Sequence, residues 1–207
     1  MRIDKAGWPF VAGAALPGVL AAWFGWYWVT GPFGVLALFM LYFFRDPDRV
    51  TPDDPGAIIS PADGRILVVG DADPAAKPAG AWKQISIFLS PLDVHINRLP
   101  CDGRVTRVQY TPGRFLPAYN PNAASVNERN EVWLDRGGET VVVRQVVGVL
   151  ARRLVCRVGP GATVQTGERY GLMKFGSRID LYLPTRCTLK VRVGDRVRSG
   201  ETVVATW

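Results

Sequence analysis

The sequence predicts a mostly β domain, folded as a compact barrel or sandwich, behind an N-terminal apolar helical hairpin. Three observations predict it. Trp8 to Phe44 holds no charged residue, a run far longer than a soluble core helix needs. Arg45 to Gly56 is then polar and proline-rich, with Asp46-Pro47, Pro52-Asp53 and Pro55-Gly56, the composition of a boundary. Beyond it, short β-rich runs alternate with glycine-containing turns, and no helical stripe of normal length follows.

The pair Gly31-Pro32 divides the apolar run. The first piece, Trp8–Thr30, is long enough to cross a bilayer; the second, Phe33–Phe44, is short for a straight span. Trp23, Trp26, Tyr27 and Trp28 cluster as in an interfacial belt, and Arg2 and Lys5 precede the run while Arg45 and Arg49 follow it. Positive residues at both ends favour both ends facing the cytoplasm. A hairpin dipping into the membrane satisfies that best, and a single tilted span is the second arrangement. The run is too long for a signal peptide and ends without a small-residue cleavage site. Residues 1–44 are therefore expected to hold the protein at the cell membrane, with a β-rich domain, 45–207, on the cytoplasmic side.

In that domain the expected strands are Arg65–Val69, Gln84–Leu89, Val105–Tyr110, Glu131–Leu134, Thr140–Val149, Leu154–Val158, Ile179–Leu183 and Leu189–Val193. Asp73–Gly80 (DPAAKPAG) reads as a surface excursion. Ser60–Ile66 and Leu189–Val197 look like each other, each with a Gly-Asp or Asp-Gly turn beside a strand. Such units resemble the hybrid barrel of lipoyl and biotinyl domains, an analogy of fold alone.

Composition excludes several classes. The 207 residues are 48% hydrophobic, enough for one core and an accessory segment, and carry a formal charge of +7. That charge suits nucleic acid, an anionic bilayer or an acidic substrate. Nucleic acid leaves the apolar run without purpose, whereas an anionic bilayer explains both. Cys101, Cys156 and Cys187 are odd in number and far apart, with no CxxC pair, so neither a disulfide framework nor a cysteine zinc site is indicated. One histidine, His95, excludes a metal site built on two or three imidazoles, and no metal is expected.

Two segments carry chemistry. In Phe175-Gly176-Ser177-Arg178 a glycine precedes a serine, which gives an unhindered carbonyl on a backbone free to take unusual angles. Those are the needs of an N→O acyl shift, in which the Ser177 hydroxyl attacks the Gly176 carbonyl. Alone, Gly-Ser is ordinarily only a turn. His95 is the one side chain here whose ordinary titration lies near neutral pH, so a general base at pH 7 falls most naturally to it. Asp63, in Pro61-Ala62-Asp63-Gly64, is placed to orient it or to make a plain Asp-Gly turn, and Asp93 competes for the same role. Asn127-Glu128-Arg129 reads equally as a solvated turn and as a clasp for an anionic head group, with Arg129 the charge and Arg114 and Phe115 weaker neighbours.

Taken together, SPADG (60–64), FLSPLDVH (88–95), PCDG (100–103), NER (127–129) and FGSRIDLYL (175–183) occur in the order found in phosphatidylserine decarboxylases. From Arg45 to Trp207 the chain resembles that family, in its short bacterial and archaeal form, and the apolar start fits too. The resemblance implies self-cleavage between Gly176 and Ser177 into chains 1–176 and 177–207, which stay associated. It implies a pyruvoyl group made from Ser177 at the new N-terminus. Phosphatidylserine is then decarboxylated to phosphatidylethanolamine through a Schiff base to that group. A serine-bearing diether lipid presents the same head group. An Asp63–His95–Ser177 triad is implied for cleavage, and a homodimer is common among such enzymes. One departure stands out: longer relatives have a second histidine three residues after the first and use that one in the triad, and here the position is Arg98. Either His95 serves both reactions or another group replaces it in cleavage.

A carrier domain is the reading from another class, since Met173-Lys174-Phe175 resembles the turn whose lysine takes biotin or lipoate. Modification would then fall on Lys174. A carrier has no need of the membrane segment or of the His95 motif.

Overall fold

The computed structural model describes residues 2–149 and 154–207. The chain divides into two compact units, residues 1–48 and 49–207.

In the first unit, β1 (Arg2–Ile3) pairs with β2 (Arg45–Asp46), and between them α1 (Trp8–Trp23) and α2 (Tyr27–Phe43) form an antiparallel hairpin. The two helices break at Phe24–Trp26, not at Gly31-Pro32. Gly25 takes a left-handed φ of +73° and closes α1. Its N–H donates to Ala22 O at 3.0 Å and that of Trp26 to Ala21 O at 2.8 Å, a Schellman cap that satisfies two orphan carbonyls. Pro32 lies inside α2, where it removes one backbone donor without ending the helix. Gly18 allows the close approach of α2, for a Cβ there lies 3.1 Å from that of Phe33. The hairpin's outer surface and turn are apolar: Leu16, Val19, Leu20, Trp23, Phe24, Tyr27 and Trp28 are all exposed.

The second unit is almost entirely β. Its strands are β3 (Ala57–Ile59), β4 (Gly64–Asp71), β5 (Lys83–Leu89), β6 (Ile96–Arg98), β7 (Gly103–Thr111), β8 (Arg129–Arg136) and β9 (Glu139–Val147). Then follow β10 (Leu154–Cys156), β11 (Thr163–Val164), β12 (Arg169–Met173), β13 (Ser177–Leu183), β14 (Thr188–Leu189), β15 (Arg196–Val197) and β16 (Val203–Thr206). One short helix, α3 (Ala123–Val126), interrupts them among the described residues. The main sheet has the antiparallel order β11-β7-β8-β9-β13-β5-β4-β15 and curls into a half-barrel; β10-β12-β6 and β14-β16-β3 form two smaller sheets. The mostly β reading holds. The two look-alike segments lie against each other, with Arg65 opposite Arg196 and Gly64 opposite Val197. The strand expected over Leu189–Val193 stops at Leu189, because Arg192–Asp195 turns back: Asp195 Oδ2 accepts the Arg192 N–H at 2.8 Å and Gly194 has φ +96°.

Strand β13 lies in the middle of the main sheet, paired with β9 on one side and β5 on the other. Alternation sends Ser177, Ile179, Leu181 and Leu183 to the core side, where the three aliphatics pack with Ile85, Ile87 and Val143. Each such side chain contributes roughly 1.5–3 kcal/mol by burial. The opposite residues, Arg178, Asp180 and Tyr182, face the other side and are buried as well. There Arg178 Nε donates to Asp180 Oδ1 at 2.6 Å. The Ser86 hydroxyl donates to the same oxygen at 2.6 Å and accepts from Arg178 at 2.9 Å and Gln84 at 3.0 Å. Arg144 bonds the Tyr182 hydroxyl at 2.8 Å and Glu131 at 2.7 Å. The excursion 73–80 covers part of this layer, with Ala76 O accepting from Arg144 at 2.5 Å. Unpaired buried charges are expensive; here Arg178 is paired with Asp180 and Arg144 with Glu131, while Asp180 Oδ2 has no partner.

Candidate active site

The turn from β12 into β13 is Lys174-Phe175-Gly176. Phe175 has φ +67° and Gly176 φ +73°. Two successive left-handed residues leave β13 at once, and only one of them is glycine. Phe175 is the single non-glycine residue with positive φ among the described residues, a conformation that costs about 1–2 kcal/mol. Backbone strain therefore sits immediately before the Gly176–Ser177 bond.

Ser177 opens β13, opposite Val147 and Leu89. Its hydroxyl is buried and has no hydrogen-bond partner. The Gly176 carbonyl rests against Gly148, where a Cβ stands 2.5 Å from that oxygen. Position 148 thus has no room for a side chain while the carbonyl keeps this orientation.

His95 is buried just ahead of β6. Its Nδ1 lies 3.0 Å from the Asp93 carbonyl oxygen. A carbonyl only accepts, so Nδ1 carries the proton and Nε2 keeps its lone pair. That lone pair receives the Gly176 N–H at 3.4 Å, a long bond that brings a neutral imidazole to the peptide next to the one proposed to be cut. The orienting group is the main chain of Asp93; its carboxylate caps the same loop by accepting the Ser90 N–H at 2.8 Å.

Asp63 is engaged elsewhere. Its Oδ2 meets Arg49 Nη2 at 2.7 Å and its Oδ1 accepts the Ser199 N–H at 2.8 Å, while Arg49 also reaches Glu201 at 3.1 Å. Burial raises the Asp63 carboxyl above its ordinary pKa, against the lowering pull of the Ser199 N–H and the Arg49 cation. Asp63 thereby ties the segment before β4 to the turn before β16. The structure brings the Gly176 amide to His95, leaves the neighbouring Ser177 hydroxyl without a bond, and gives Asp63 other partners.

Beside Gly176 opens a cavity of about 180 Å³. Phe88, Pro91, Pro117, Tyr119, Val149 and Phe175 supply most of its wall, and none of the lining residues among those described is charged. Asn127 holds that wall in place. Its amide oxygen accepts the Leu116 N–H at 3.0 Å, and its Nδ2 donates to Leu116 O at 2.8 Å and Val147 O at 2.9 Å. Glu128 joins the same splice through its backbone, to Arg114 O at 3.0 Å and from the Val147 N–H at 3.1 Å. Arg129 faces the side of the sheet opposite Ser177: it pairs in register with Val146 and, one strand further, Arg178. The Arg114 side chain is exposed and Phe115 partly so. No cluster of metal-ligating groups occurs among the described residues.

Sequence reasoning missed three features of this site: the Asp93 carbonyl as the group that orients His95, the strain at Phe175, and the clearance at Gly148. Only Gly148 left a trace, as a glycine ending a long β-branched run.

Residues 36–205 match the family model described as phosphatidylserine decarboxylase. The chain belongs to the phosphatidylserine decarboxylase family. It is 44% identical over 205 residues to the phosphatidylserine decarboxylase proenzyme of Nitrosomonas europaea, covering 98% of this chain and 94% of that protein. The proenzyme of Desulfotalea psychrophila is 44% identical over 203 residues, 98% of this chain and 95% of the relative. That of Pelodictyon phaeoclathratiforme is 46% identical over 175 residues, 84% and 82% of the two. The alternative of a carrier modified at Lys174 loses its footing on both counts. The chain is a decarboxylase of this family, and Lys174 is buried where a carrier lysine has to project.

Proposed function

We propose that the chain cuts itself between Gly176 and Ser177 and then decarboxylates phosphatidylserine to phosphatidylethanolamine with a pyruvoyl group made from Ser177. Support comes from the 174–177 turn, where a strained backbone, a buried hydroxyl without a partner and a neutral imidazole meet. The Ser177 oxygen adds to the Gly176 carbonyl carbon, and the peptide bond gives way to an ester. Loss of the Ser177 α-proton then expels the Gly176 carboxylate and leaves dehydroalanine. Water replaces its nitrogen, which departs as ammonia. His95 Nε2 takes the hydroxyl proton once the Ser177 hydroxyl displaces the Gly176 N–H from its lone pair. Relief of the left-handed Phe175–Gly176 pair favours the cut. The Ser177 backbone suits the group it is to become: it lies at a strand end, beside the apolar cavity that would take the lipid. Once formed, the group supplies the electron sink for departing carbon dioxide. Chains 1–176 and 177–207 remain together through the pairing of β13.

Mass measurement under denaturing conditions tests this. Two fragments, 1–176 and 177–207, are expected, the smaller blocked to Edman degradation and lighter by one ammonia than a fragment beginning with serine. A free N-terminal serine there would mean ordinary proteolysis and end the pyruvoyl reading.

The proposal extends to the hairpin as a membrane anchor. Lys5–Trp23 is apolar over 19 residues and only 22% buried, and α2 is shorter at 17 residues. At about 1.5 Å per residue the first segment is about 28 Å long, enough by length to cross a membrane, and α2 about 25 Å. With the aromatic turn at Trp23–Trp28, they suit a hairpin inserted from one side. The full chain is expected in the membrane fraction, and a chain lacking residues 1–44 is expected to cut itself yet work poorly on bilayer substrate. A full-length protein that stays soluble without detergent overturns the anchor.

A further inference from the structure

Strands β7, β8 and β9 carry another cavity, a polar one, on the sheet face opposite the core. Register places Arg107 opposite Trp133, Thr111 opposite Arg129, and Glu131 opposite Arg144. The excursion 75–79 helps to line it, and the enclosed volume is about 310 Å³. It shares no lining residue with the cavity beside Gly176.

Its charges do not balance. Lys77, Arg107, Arg129 and Arg144 line it against one carboxylate, Glu131, among the described residues. Glu131 is already occupied: Oε1 lies 2.6 Å from Arg144 Nη2, and Oε2 accepts the Trp133 indole N–H at 3.2 Å. The Lys77 ammonium donates to the Gly80 carbonyl. Arg107 sits over the Trp133 ring, 5.6 Å from its centroid. Arg129 is left with one bond, Nη1 to Ser125 O at 3.0 Å, and a buried Nε that has no partner. Burial and the neighbouring Arg144 cation both lower the Arg129 pKa, so the cavity disfavours the charge it holds. A bound anion offsets that penalty by its own opposite charge.

We infer that this cavity binds a phosphoryl anion between Arg129 and Arg107, apart from the Ser177 turn. Two guanidinium forks with the Thr111 hydroxyl nearby suit a tetrahedral acceptor with several oxygens. Free phosphate and the head group of an anionic phospholipid both present that chemistry. The site does not depend on the cleavage reaction.

The experiment is calorimetric titration of the full-length protein in neutral detergent, at ionic strength held constant with chloride. The titrants are inorganic phosphate and dihexanoyl phosphatidylglycerol. Saturable binding is expected for at least one, weakened roughly ten-fold by Arg129→Gln and by Arg107→Gln, since each loses a charge-assisted contact. Arg192→Gln, on an exposed turn, is expected to leave it unchanged. Competition between the titrants identifies a head-group site, and binding of phosphate alone identifies a free-anion site. Arg107 is exposed, so its variant keeps the test valid should Arg129→Gln fail to fold. Absence of saturable binding for both titrants overturns the inference, and so does equal weakening by Arg192→Gln.

Discussion

Ser177→Ala is expected to remain one uncut polypeptide and to release no carbon dioxide from phosphatidylserine above background. In the proposed reaction the side-chain oxygen is the nucleophile and the same residue's carbons become the ketone, so alanine has no route to either product. The variant is also expected to fold. In the parent the Ser177 hydroxyl is buried without a partner, an arrangement that costs roughly 1–3 kcal/mol. Replacing it with a methyl removes that penalty and leaves β13 paired on both sides. Its thermal midpoint should therefore match or exceed that of a freshly made, uncut parent. Denaturing mass and a calorimetric scan check both halves. An alanine variant that is cut at 176 and active excludes Ser177 as nucleophile and cofactor source. One that fails to fold leaves the scan, not the assay, as the finding, and contradicts the reading of the hydroxyl as an unsatisfied group.

His95→Ala is expected to slow self-cleavage by roughly a hundred- to ten-thousand-fold, the usual range for losing a positioned general base. The geometry argues for a base: Nδ1 is committed to the Asp93 carbonyl, which leaves Nε2 as an acceptor at the Gly176 amide. Because the tautomer is held by a main-chain oxygen, altering the Asp93 side chain leaves that restraint in place. Cleavage followed by mass during cell-free synthesis measures the rate. A variant that cuts itself at the parent rate removes His95 from that step, and turnover by the cut variant then decides whether it serves decarboxylation alone.

The β-rich class and the apolar hairpin were legible because both are repeated patterns: a long charge-free run, and alternation such as Ser177–Leu183. Where α1 ends was not. Gly31-Pro32 carries the stronger breaker residues, yet Gly25 ends the helix because a left-handed glycine satisfies the carbonyls of Ala21 and Ala22. Motifs in order singled out Gly176 and His95, whose amide and imidazole the fold does bring together. Asp63 was assigned by its motif to His95, but its partners Arg49 and Ser199 come from segments far apart in sequence, which no local pattern links. The polar layer behind β13 was hidden for the same reason. Arg178, Asp180 and Tyr182 look like the wet side of a strand, and only Ser86 and Arg144 from neighbouring strands reveal that side to be buried.

The central place of β13 has a consequence for how the mature protein is held together. The piece beyond residue 176 contributes β13 to the middle of the main sheet, and β15 and β16 to pairings with β4 and β3. While the chain is whole, unfolding and refolding are unimolecular, and sample concentration does not enter. After the proposed cut the unfolded state would be two separate molecules, and dilution would favour it by mass action. Refolding then has to recruit a short peptide into a gap between two strands that have no reason to stay apart. Synthesis as one chain lets the sheet form before the covalent link is lost. After the proposed cut the slow extraction of an inner strand, more than equilibrium stability, would set how long the enzyme lasts.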